Sequence, residues 1–481
     1  MLYHSTRGGA PAVDSAQAVL EGLAPDGGLY MPEALPEFDW RKCLTLSAQG
    51  METAILSALL PDIPDMEELV KRAYTGKFET EELTPTVPVG PYHVLELFRG
   101  PTSAFKDVAL SMLPQLLTAA KTVKGMDETI LILTATSGDT GKAALEGFHD
   151  VPGVKICVFY PDGGVSQVQR AQMVTQEGSN VAVCAVRGNF DDAQTGVKNI
   201  FAACQGTALP YRLSSANSIN IGRLAPQLTY YFAAYRDLVA RGQIQVGDRV
   251  NFSVPTGNFG DILAGYLAKQ LGLPVGTLIC ASNANNVLTD FIHTGIYDRR
   301  RPLLKTQSPS MDILVSSNLE RLLALLSGDT ELVSGLMAKL NTEGFYQVPG
   351  ELLEKIQASF FAGCSDDCRG QEVIGRVWRE QGYLLDPHTA AGWACAEDYR
   401  AKTGDTAPMV VLSTASPYKF PAAVLTAIGQ SLSGSEFDQM RQLEDVTCVP
   451  IPGNLATLAG KPQRHTAVVE KSEMLPFVLG L

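Results

Sequence analysis

The residue whose type and surroundings most clearly suggest a chemical role is Lys106. It lies between Phe105 and an apolar helical run that begins at Val108. A lysine in apolar surroundings loses hydration, so its pKa falls. The neutral amine that results is a nucleophile toward aldehydes. Thr102 and Ser103 are predicted to cap this helix, which would place Lys106 in its first turns. An ordinary surface lysine paired with Asp107 is the alternative, and these residues alone do not decide between the two.

Three glycine- or hydroxyl-rich loops follow predicted strands. Residues 134–142 (TATSGDTGK) offer N–H groups and hydroxyls that suit a carboxylate. Residues 254–261 (VPTGNFGD) have two glycines, which let a phosphate approach the backbone at a helix N-terminus. Residues 413–420 (STASPYKF) place hydroxyls that could bond a heteroaromatic nitrogen or simply cap the next helix. A nucleotide-binding module is disfavoured, because the spacing GxxGKA does not fit GxxxxGK followed by Ser or Thr.

A fourth segment, residues 214–223 (SSANSINIGR), groups amides, hydroxyls and one arginine, which suit a second phosphate or a carboxylate. A reactive lysine, a phosphate loop and a second anion site together describe pyridoxal 5′-phosphate (PLP) chemistry on a phosphorylated amino acid. PLP supplies an electron sink, and the protein supplies the lysine, the phosphate site and a partner for the ring nitrogen.

Seven motifs, in one order over nearly the whole chain, resemble threonine synthase in its bacterial and fungal form with an N-terminal domain. They are STRG at 5–8, GPTSAFKD at 100–107, TATSGDTG at 134–141, SANSINIGR at 215–223, PTGNFGD at 255–261, DPH at 386–388 and STASPYKF at 413–420. The resemblance implies the PLP fold type II, similar to the tryptophan synthase β subunit. It implies the conversion of O-phospho-L-homoserine and water into L-threonine and phosphate. Ser416, where relatives often have histidine, and Lys142, in place of a small residue, depart from the pattern.

The resemblance also implies roles for single residues. Lys106 would hold the cofactor covalently, and Thr414 would face the pyridine nitrogen. The residues expected at the cofactor phosphate are Gly257, Asn258, Phe259 and Gly260. The residues expected at the substrate carboxylate or the cofactor ring oxygen are Thr136, Ser137, Asp139 and Thr140. The residues expected at the substrate phosphate are Asn217, Ser218, Asn220 and Arg223.

Two other functions stay open within the same fold. A phospho-lyase would release 2-oxobutyrate, ammonia and phosphate from the same substrate, because the difference lies in where water is placed. A non-catalytic relative that senses a metabolite is the second, and the intact Lys106 argues against it.

The elements that must position these residues alternate between short apolar runs and helices. The apolar runs, which are typical of strands buried on both faces, are residues 129–134, 154–160, 181–186, 249–254, 277–281 and 409–413. Helices are predicted at residues 141–148, 166–176, 191–204, 224–239, 261–271 and 421–432. This alternation predicts doubly wound parallel α/β sheets, in which ligands bind beyond the carboxyl ends of the strands.

We expect a small, mainly helical N-terminal domain at residues 1–90 and a PLP-dependent catalytic domain at 91–481. Within the latter, a small lobe at about 128–215 would be inserted in the large lobe. A length of 481 residues suits two or three domains.

Composition and net charge limit which partners and which cell compartment we expect for this protein. A net charge of −13 with scattered basic residues argues against nucleic acid and anionic membranes. No signal peptide and no membrane-length apolar segment is seen. Nine dispersed cysteines fit reduced thiols in a cytoplasmic protein. The close pair at Cys364 and Cys368 lacks a second pair or a nearby histidine, so no metal is expected. We expect a small-molecule substrate and a monomer or homodimer.

Overall fold

The computed structural model describes residues 1–136, 138–204 and 211–481. The chain begins with three short strands that form an antiparallel sheet in the order β2-β1-β3: β1 (Leu2–Ser5), β2 (Val13–Asp14) and β3 (Tyr30–Pro32). Four helices follow or separate them: α1 (Ser15–Glu21), α2 (Trp40–Cys43), α3 (Ala48–Leu59) and α4 (Met66–Tyr74). The N-terminal region is therefore mainly helical, with a small sheet in addition.

The remaining described strands form two larger sheets and one short pair. They are β4 (Thr86–Val89), β5 (Tyr92–Glu96), β6 (Thr129–Ala135), β7 (Val154–Pro161), β8 (Val181–Val186), β9 (Tyr211–Ser214), β10 (Val250–Pro255), β11 (Val275–Ser282), β12 (Ile296–Asp298), β13 (Phe345–Gln347), β14 (Phe360–Cys364), β15 (Met409–Ser413) and β16 (Ala467–Val469). The larger sheet has the order β14-β11-β10-β15-β5-β4, and the smaller has the order β16-β8-β7-β6-β9. All pairs in both are parallel except β4 with β5, and β12 pairs with β13 separately.

The described helices after α4 cover the faces of these sheets and connect their strands. They are α5 (Lys106–Val123), α6 (Asp139–Phe148), α7 (Gln167–Val174), α8 (Phe190–Cys204), α9 (Ile221–Leu224), α10 (Thr229–Ala240), α11 (Gly260–Gln270), α12 (Val287–Thr294), α13 (Leu319–Ser327), α14 (Thr330–Thr342), α15 (Gly350–Gln357), α16 (Asp367–Gln381), α17 (Pro387–Thr403), α18 (Pro421–Ala427), α19 (Glu436–Thr447), α20 (Gly453–Ala456) and α21 (Met474–Leu479). None of the helices within the described ranges is long and apolar enough to cross a membrane.

The predicted parallel α/β architecture is confirmed. Each of the six predicted strand runs forms a strand with ends within two residues of the prediction. The reason is their burial, because every residue of β10 and β15 is buried and a continuous apolar run is what such a position requires. β16 joins a sheet otherwise built from residues 129–214. The sheet of the small lobe thus takes one strand from far beyond the expected residues 128–215, and the lobe boundaries stay a prediction.

One predicted helix is divided in the structure. The sequence predicts a single helix over residues 224–239, whereas the chain forms α9, a 3-10 turn at Ala225–Leu228 and then α10. Pro226 lies in the first turn of that 3-10 segment and has no N–H to continue the hydrogen-bond ladder of α9. The break turns Arg223 and its neighbours into a short separate helix.

Candidate active site

Lys106 is the first residue of α5, and only 8% of its surface is exposed. Its Nζ lies 3.3 Å from Ser310 Oγ and 3.8 Å from Asp139 Oδ2. Burial lowers the pKa of the Lys106 amine to about 8, although the nearby Asp139 carboxylate acts in the opposite direction. A sizeable fraction of this amine is therefore neutral near physiological pH, as the sequence predicts for a reactive lysine.

The carboxylate of Asp107 holds the loop before Lys106 together, and no side chain caps the N-terminus of α5. The expected cap from Thr102 or Ser103 was wrong, since α5 has no side-chain N-cap. Instead Asp107 Oδ2 accepts hydrogen bonds from the backbone N–H of Thr102 at 2.9 Å and of Ala104 at 3.4 Å. A Cβ at Gly100 would lie 2.5 Å from the same carboxylate oxygen, so the turn is tight enough to require glycine. The loop fixes where α5 begins and thus where Lys106 points.

The segment after β15 runs beside this loop. Phe105 N donates to Thr414 O at 2.9 Å, and Ser416 N donates to Ser103 O at 3.1 Å. Thr414 is 5% exposed, and its hydroxyl makes no hydrogen bond to any described residue. The Ser416 hydroxyl accepts from Tyr418 N at 3.3 Å and so caps the turn Pro417–Lys419. Thr414 is therefore a hydroxyl of this segment whose oxygen and proton are both available to a ligand.

Asp139, the first residue of α6, is buried between two lysines. Lys419 Nζ lies 2.6 Å from Asp139 Oδ1, and Gln169 Nε2 donates to the same oxygen at 3.0 Å. Burial alone would raise the pKa of the Asp139 carboxyl, but Lys419 and Lys106 hold it well below its usual range. Asp139 is thus an anion next to the reactive amine.

Sequence reasoning missed two residues of this cluster. Lys419 is 1% exposed and also donates to Thr102 O at 3.2 Å. It carries a signal similar to the one that singles out Lys106, because it is a lysine among apolar neighbours, here the aromatic residues Tyr418 and Phe420. Ser310 lies in the loop between β12 and α13 and has no comparable signal, because only tertiary structure brings that loop to the lysine.

The loop after β6 is built around the Thr136 hydroxyl. Thr136 Oγ1 accepts from Gly138 N at 3.0 Å and from Gly141 N at 2.9 Å. Gly138 has φ +140°, and a Cβ there would lie 2.5 Å from the Gln169 side chain. Thr140 is half-buried on α6, and Ser137 lies outside the described residues. The oxygen of Thr136 is thus used within the loop, and its hydroxyl proton remains available to a ligand.

The glycine loop between β10 and α11 has a backbone geometry that suits an anion at a helix N-terminus. Phe259 has φ +62°, and a Cβ at Gly257 would lie 2.6 Å from Ser310 O. At Gly260 a Cβ would lie 3.3 Å from Asn318 Nδ2, and Asn318 N donates to Asn258 O at 3.0 Å. The first-turn N–H groups of α11 have no intrahelical acceptors and carry the positive end of the helix dipole.

The first turn of α11 also contains a buried acid, Asp261. Its Oδ1 accepts from Tyr231 OH at 3.1 Å and also from Tyr230 OH. Burial raises the pKa of the Asp261 carboxyl to about 7, so a large part of it is uncharged at neutral pH. An anion at this helix end therefore meets less repulsion than the sequence alone would suggest.

The segment before α9 contributes one buried cation. Arg223 is 4% exposed and donates from Nη1 to Ala216 O at 2.6 Å. Among the described residues its Nε has no hydrogen-bond partner and its guanidinium pairs with no carboxylate. Burial lowers the pKa of Arg223 to about 10, which leaves it protonated at neutral pH. A buried cation with an unpartnered N–H is a suitable ligand for an anion.

The other residues expected at the substrate phosphate have polar groups that already contact other parts of the protein. Asn220 donates to Val19 O at 2.9 Å and caps α9 by accepting from Gly222 N at 2.8 Å. Asn217 is exposed and accepts from the Thr134 hydroxyl at 3.3 Å. Ser218 Oγ lies 3.5 Å from Ser317 Oγ. Arg223 is the member of this set with the clearest capacity for a further ligand.

Three groups of this site fit PLP. The Lys106 amine suits its aldehyde, the free Thr414 hydroxyl suits its pyridine nitrogen, and the N-terminus of α11 suits its phosphate. Two parallel sheets with a buried lysine at the start of α5 and a glycine loop after β10 have the architecture of the fold type II PLP-dependent enzymes.

Comparisons with known proteins narrow this class to one family. The family descriptions "Threonine synthase N terminus" and "Threonine synthase, C-terminal" match residues 2–74 and 389–475. Threonine synthase of Pseudomonas aeruginosa is 40% identical over 476 residues, with 97% of this chain and 98% of that protein covered. Human threonine synthase-like 1 is 39% identical over 434 residues, which are 86% of this chain and 58% of that protein.

A solved structure, PLP-bound threonine synthase from Brucella melitensis, superimposes with a TM-score of 0.88 at 40% identity. It is matched over 100% of this chain and 98% of its own. The chain belongs to the threonine synthase family.

Proposed function

We propose that this chain is a PLP-dependent threonine synthase that converts O-phospho-L-homoserine and water into L-threonine and phosphate. The observation that carries this proposal is the buried Lys106, whose amine has a pKa of about 8 and lies beside Asp139 in a chain of this family. A solvated surface lysine with an ordinary pKa would not serve as nucleophile and base near neutral pH.

The cofactor would be held by four parts of the site. Lys106 would bind its aldehyde, and Gly257, Asn258, Phe259 and Gly260 with the N-terminus of α11 would bind its phosphate. Thr414 would donate to or accept from its ring nitrogen, and Asp139 would lie near its ring oxygen. When bound, PLP withdraws electrons from the substrate Cα and so allows bonds at neighbouring carbons to break.

The substrate would be oriented by its two anionic ends. Thr136, Ser137 and Thr140 would bind its carboxylate at the N-terminus of α6. Arg223 would bind its phosphate through the unpartnered Nε, with Asn217, Ser218 and Asn220 completing the surroundings. Fixing both ends presents the protons of Cα and Cβ to the same amine.

Lys106 would move the protons. Once its amine is free, it takes a proton from the substrate Cα and later returns one, and a pKa of about 8 suits both directions. A proton would also leave Cβ as the phosphate leaves Cγ. Cγ would then gain a proton to become the methyl group, and the hydroxyl of water would add at Cβ. The ionised Asp139 keeps a charge of opposite sign beside the amine when that amine is protonated.

We also propose a cytoplasmic protein that acts as a monomer or homodimer on a small molecule. The nine cysteines are all unpaired in the part of the chain that the structure describes, which fits a reducing compartment. Light scattering during gel filtration tests the oligomeric state.

The activity is tested by supplying O-phosphohomoserine to the PLP-loaded protein in water labelled with oxygen-18. We expect threonine with the label in its hydroxyl group and phosphate without it, because the C–O bond at Cγ breaks. Labelled phosphate with homoserine would instead indicate a phosphatase. A product of 2-oxobutyrate and ammonia would indicate the phospho-lyase.

Two lysine variants complete that test. Lys106→Ala and Lys106→Arg should both give no threonine, and the arginine variant controls for loss of positive charge. Borohydride treatment of the unmodified protein should attach a pyridoxyl group to the peptide containing Lys106. A label on another lysine would contradict the assignment.

A further inference from the structure

Ser310 is the nearest side-chain partner that the structure gives to the Lys106 amine. Its Oγ lies 3.3 Å from Lys106 Nζ and 3.3 Å from Asp139 Oδ2. Neither the sequence motifs nor the roles assigned above include this serine. Its hydroxyl thus lies between the amine proposed as the base and an anion.

Two contacts fix the backbone of Ser310. Its N–H donates to His388 Nε2 at 3.2 Å, and His388 Nδ1 lies 2.8 Å from Asp386 Oδ1. Because Asp386 accepts the proton on Nδ1, Nε2 is the acceptor that the Ser310 N–H needs. On the other side, Ser310 O lies 2.6 Å from the position that a Cβ of residue 257 would take, so Gly257 lets the two loops touch.

The loop that carries Ser310 is also held at its base. Asp312 Oδ1 accepts from Asn283 Nδ2 at 2.8 Å, from Asn285 Nδ2 at 3.0 Å and from the Thr306 hydroxyl at 2.7 Å. Its Oδ2 accepts from Thr306 N at 3.0 Å. A loop anchored at its base and along its backbone keeps the serine hydroxyl in one place, as a group that orients a catalytic amine must be kept.

The direction of each hydrogen bond follows from counting protons. Asp139 is ionised, so it can only accept. The single hydroxyl proton of Ser310 is therefore donated to Asp139 Oδ2, and Ser310 Oγ must accept from an N–H of Lys106. Lys419 and Gln169 hold the other oxygen of Asp139, which keeps this direction fixed.

We propose that Ser310 is a positioning residue for Lys106, whose oxygen accepts one N–H of the free Lys106 amine and so directs the nitrogen lone pair toward the substrate. This inference rests on the proposed function, in which that amine moves protons. No proton is transferred through the serine. The charged or titratable groups around the amine are Asp139, Asp107, Lys419, Arg223 and Asp261, and a Ser310→Ala substitution removes none of them.

The test compares Ser310→Ala with Ser310→Thr, which keeps the hydroxyl, and with Ser308→Ala. Ser308 is the matched control, because it lies in the same loop but its hydroxyl accepts from Asn283 at 3.0 Å. In the PLP-loaded enzyme we expect Ser310→Ala to lose about tenfold to 10²-fold in kcat with KM little changed. Ser310→Thr should recover most of the loss.

A second measurement does not depend on turnover. Lys106 in the PLP-free full chain is labelled by reductive methylation over a pH series and read by peptide mass spectrometry. Loss of the accepting oxygen disfavours the ammonium form, so half-maximal labelling in Ser310→Ala should fall by about one pH unit. Ser310→Cys, with a weaker acceptor of similar size, should shift the same way if Ser310→Ala does not fold.

Three outcomes would overturn the proposal: wild-type kcat in Ser310→Ala, an unchanged labelling profile, or an equal shift in Ser308→Ala, which would assign the effect to the loop. The function itself is judged on the wild-type protein. If that protein makes no threonine and the labelling shift still appears, the proposed function fails while the Ser310 contact stands.

Discussion

Two buried carboxyl groups near the start of α5 have opposite ionisation. Asp139, in the active site, has Lys419 at 2.6 Å and Lys106 at 3.8 Å, and its pKa lies well below the usual range. Glu52, on α3 of the N-terminal region, is completely buried and contacts the Tyr74 hydroxyl at 3.0 Å. Burial raises the pKa of Glu52 to about 8. Equal burial thus gives an anion where cations are adjacent and a neutral acid where none is.

Proton counting supports a neutral Glu52. The Tyr74 hydroxyl lies 3.0 Å from Glu52 Oε1 and 3.0 Å from Val108 O, and it has one proton. Since the Val108 carbonyl can only accept, a protonated Glu52 lets both contacts be hydrogen bonds. Val108 is the third residue of α5, so this contact joins the N-terminal region to the helix that begins with Lys106.

The two groups should change the stability of the fold with pH in opposite directions. The lowered pKa of Asp139 contributes stability above about pH 4 that is lost on acidification. The raised pKa of Glu52 means that the folded chain binds the extra proton between about pH 4.5 and 8. Its contribution therefore declines as pH rises through that range and is constant above it.

The largest effect should come from removing the anion. Asp139→Asn leaves Lys419 buried without a counter-charge, which should lower the free energy of unfolding by about 3–5 kcal/mol and abolish threonine formation. Urea unfolding and the product assay measure both. In the double variant Asp139→Asn with Lys419→Met, stability should return and activity should not. A stable Asp139→Asn single variant would contradict the comparison.

Glu52→Gln should remove the pH dependence that we assign to the neutral acid. The amide cannot ionise, so the variant should gain stability over the wild type as pH rises, by on the order of 1 kcal/mol per pH unit between about pH 5 and 8. Thermal unfolding across this range measures it. Tyr74→Phe, which removes the hydroxyl but keeps the acid, is the control and should retain the wild-type slope. Parallel curves for Glu52→Gln and wild type would refute a raised pKa.

The smallest of the three effects concerns a buried cation without a carboxylate partner. Arg223→Ala should lose about 1.5–3 kcal/mol of transition-state binding for O-phosphohomoserine, seen as a drop in kcat/KM. PLP absorbance and the thermal midpoint should stay near wild type. Arg300→Ala, which breaks a surface pair with Asp298, controls for loss of an arginine. A destabilised but fully active Arg223→Ala would assign the guanidinium to the fold.

Much of the fold was predictable because the buried strands carry a local signal. β6, β7 and β15 are continuous apolar runs, and their position in parallel sheets follows from that composition. Short strands such as β14 and β16 were not predicted, since three to five residues at a sheet edge carry little pattern. The sequence analysis did not predict the break at Pro226, although its cause, a proline without an N–H, is visible in the sequence.

The sequence by itself determined which residues are chemically unusual: a lysine among apolar neighbours, glycines after strands, one arginine among amides, and the family motifs that join them. It could not determine which of these groups are protonated or which residues they contact, because both depend on distances between residues far apart in the chain. Lys106, Asp139, Ser310 and Lys419 meet only when α5, α6 and two distant loops pack together. Tertiary structure alone decided that Asp139 is charged and Glu52 neutral, since burial and neighbouring charge set a pKa, and neither is local in sequence.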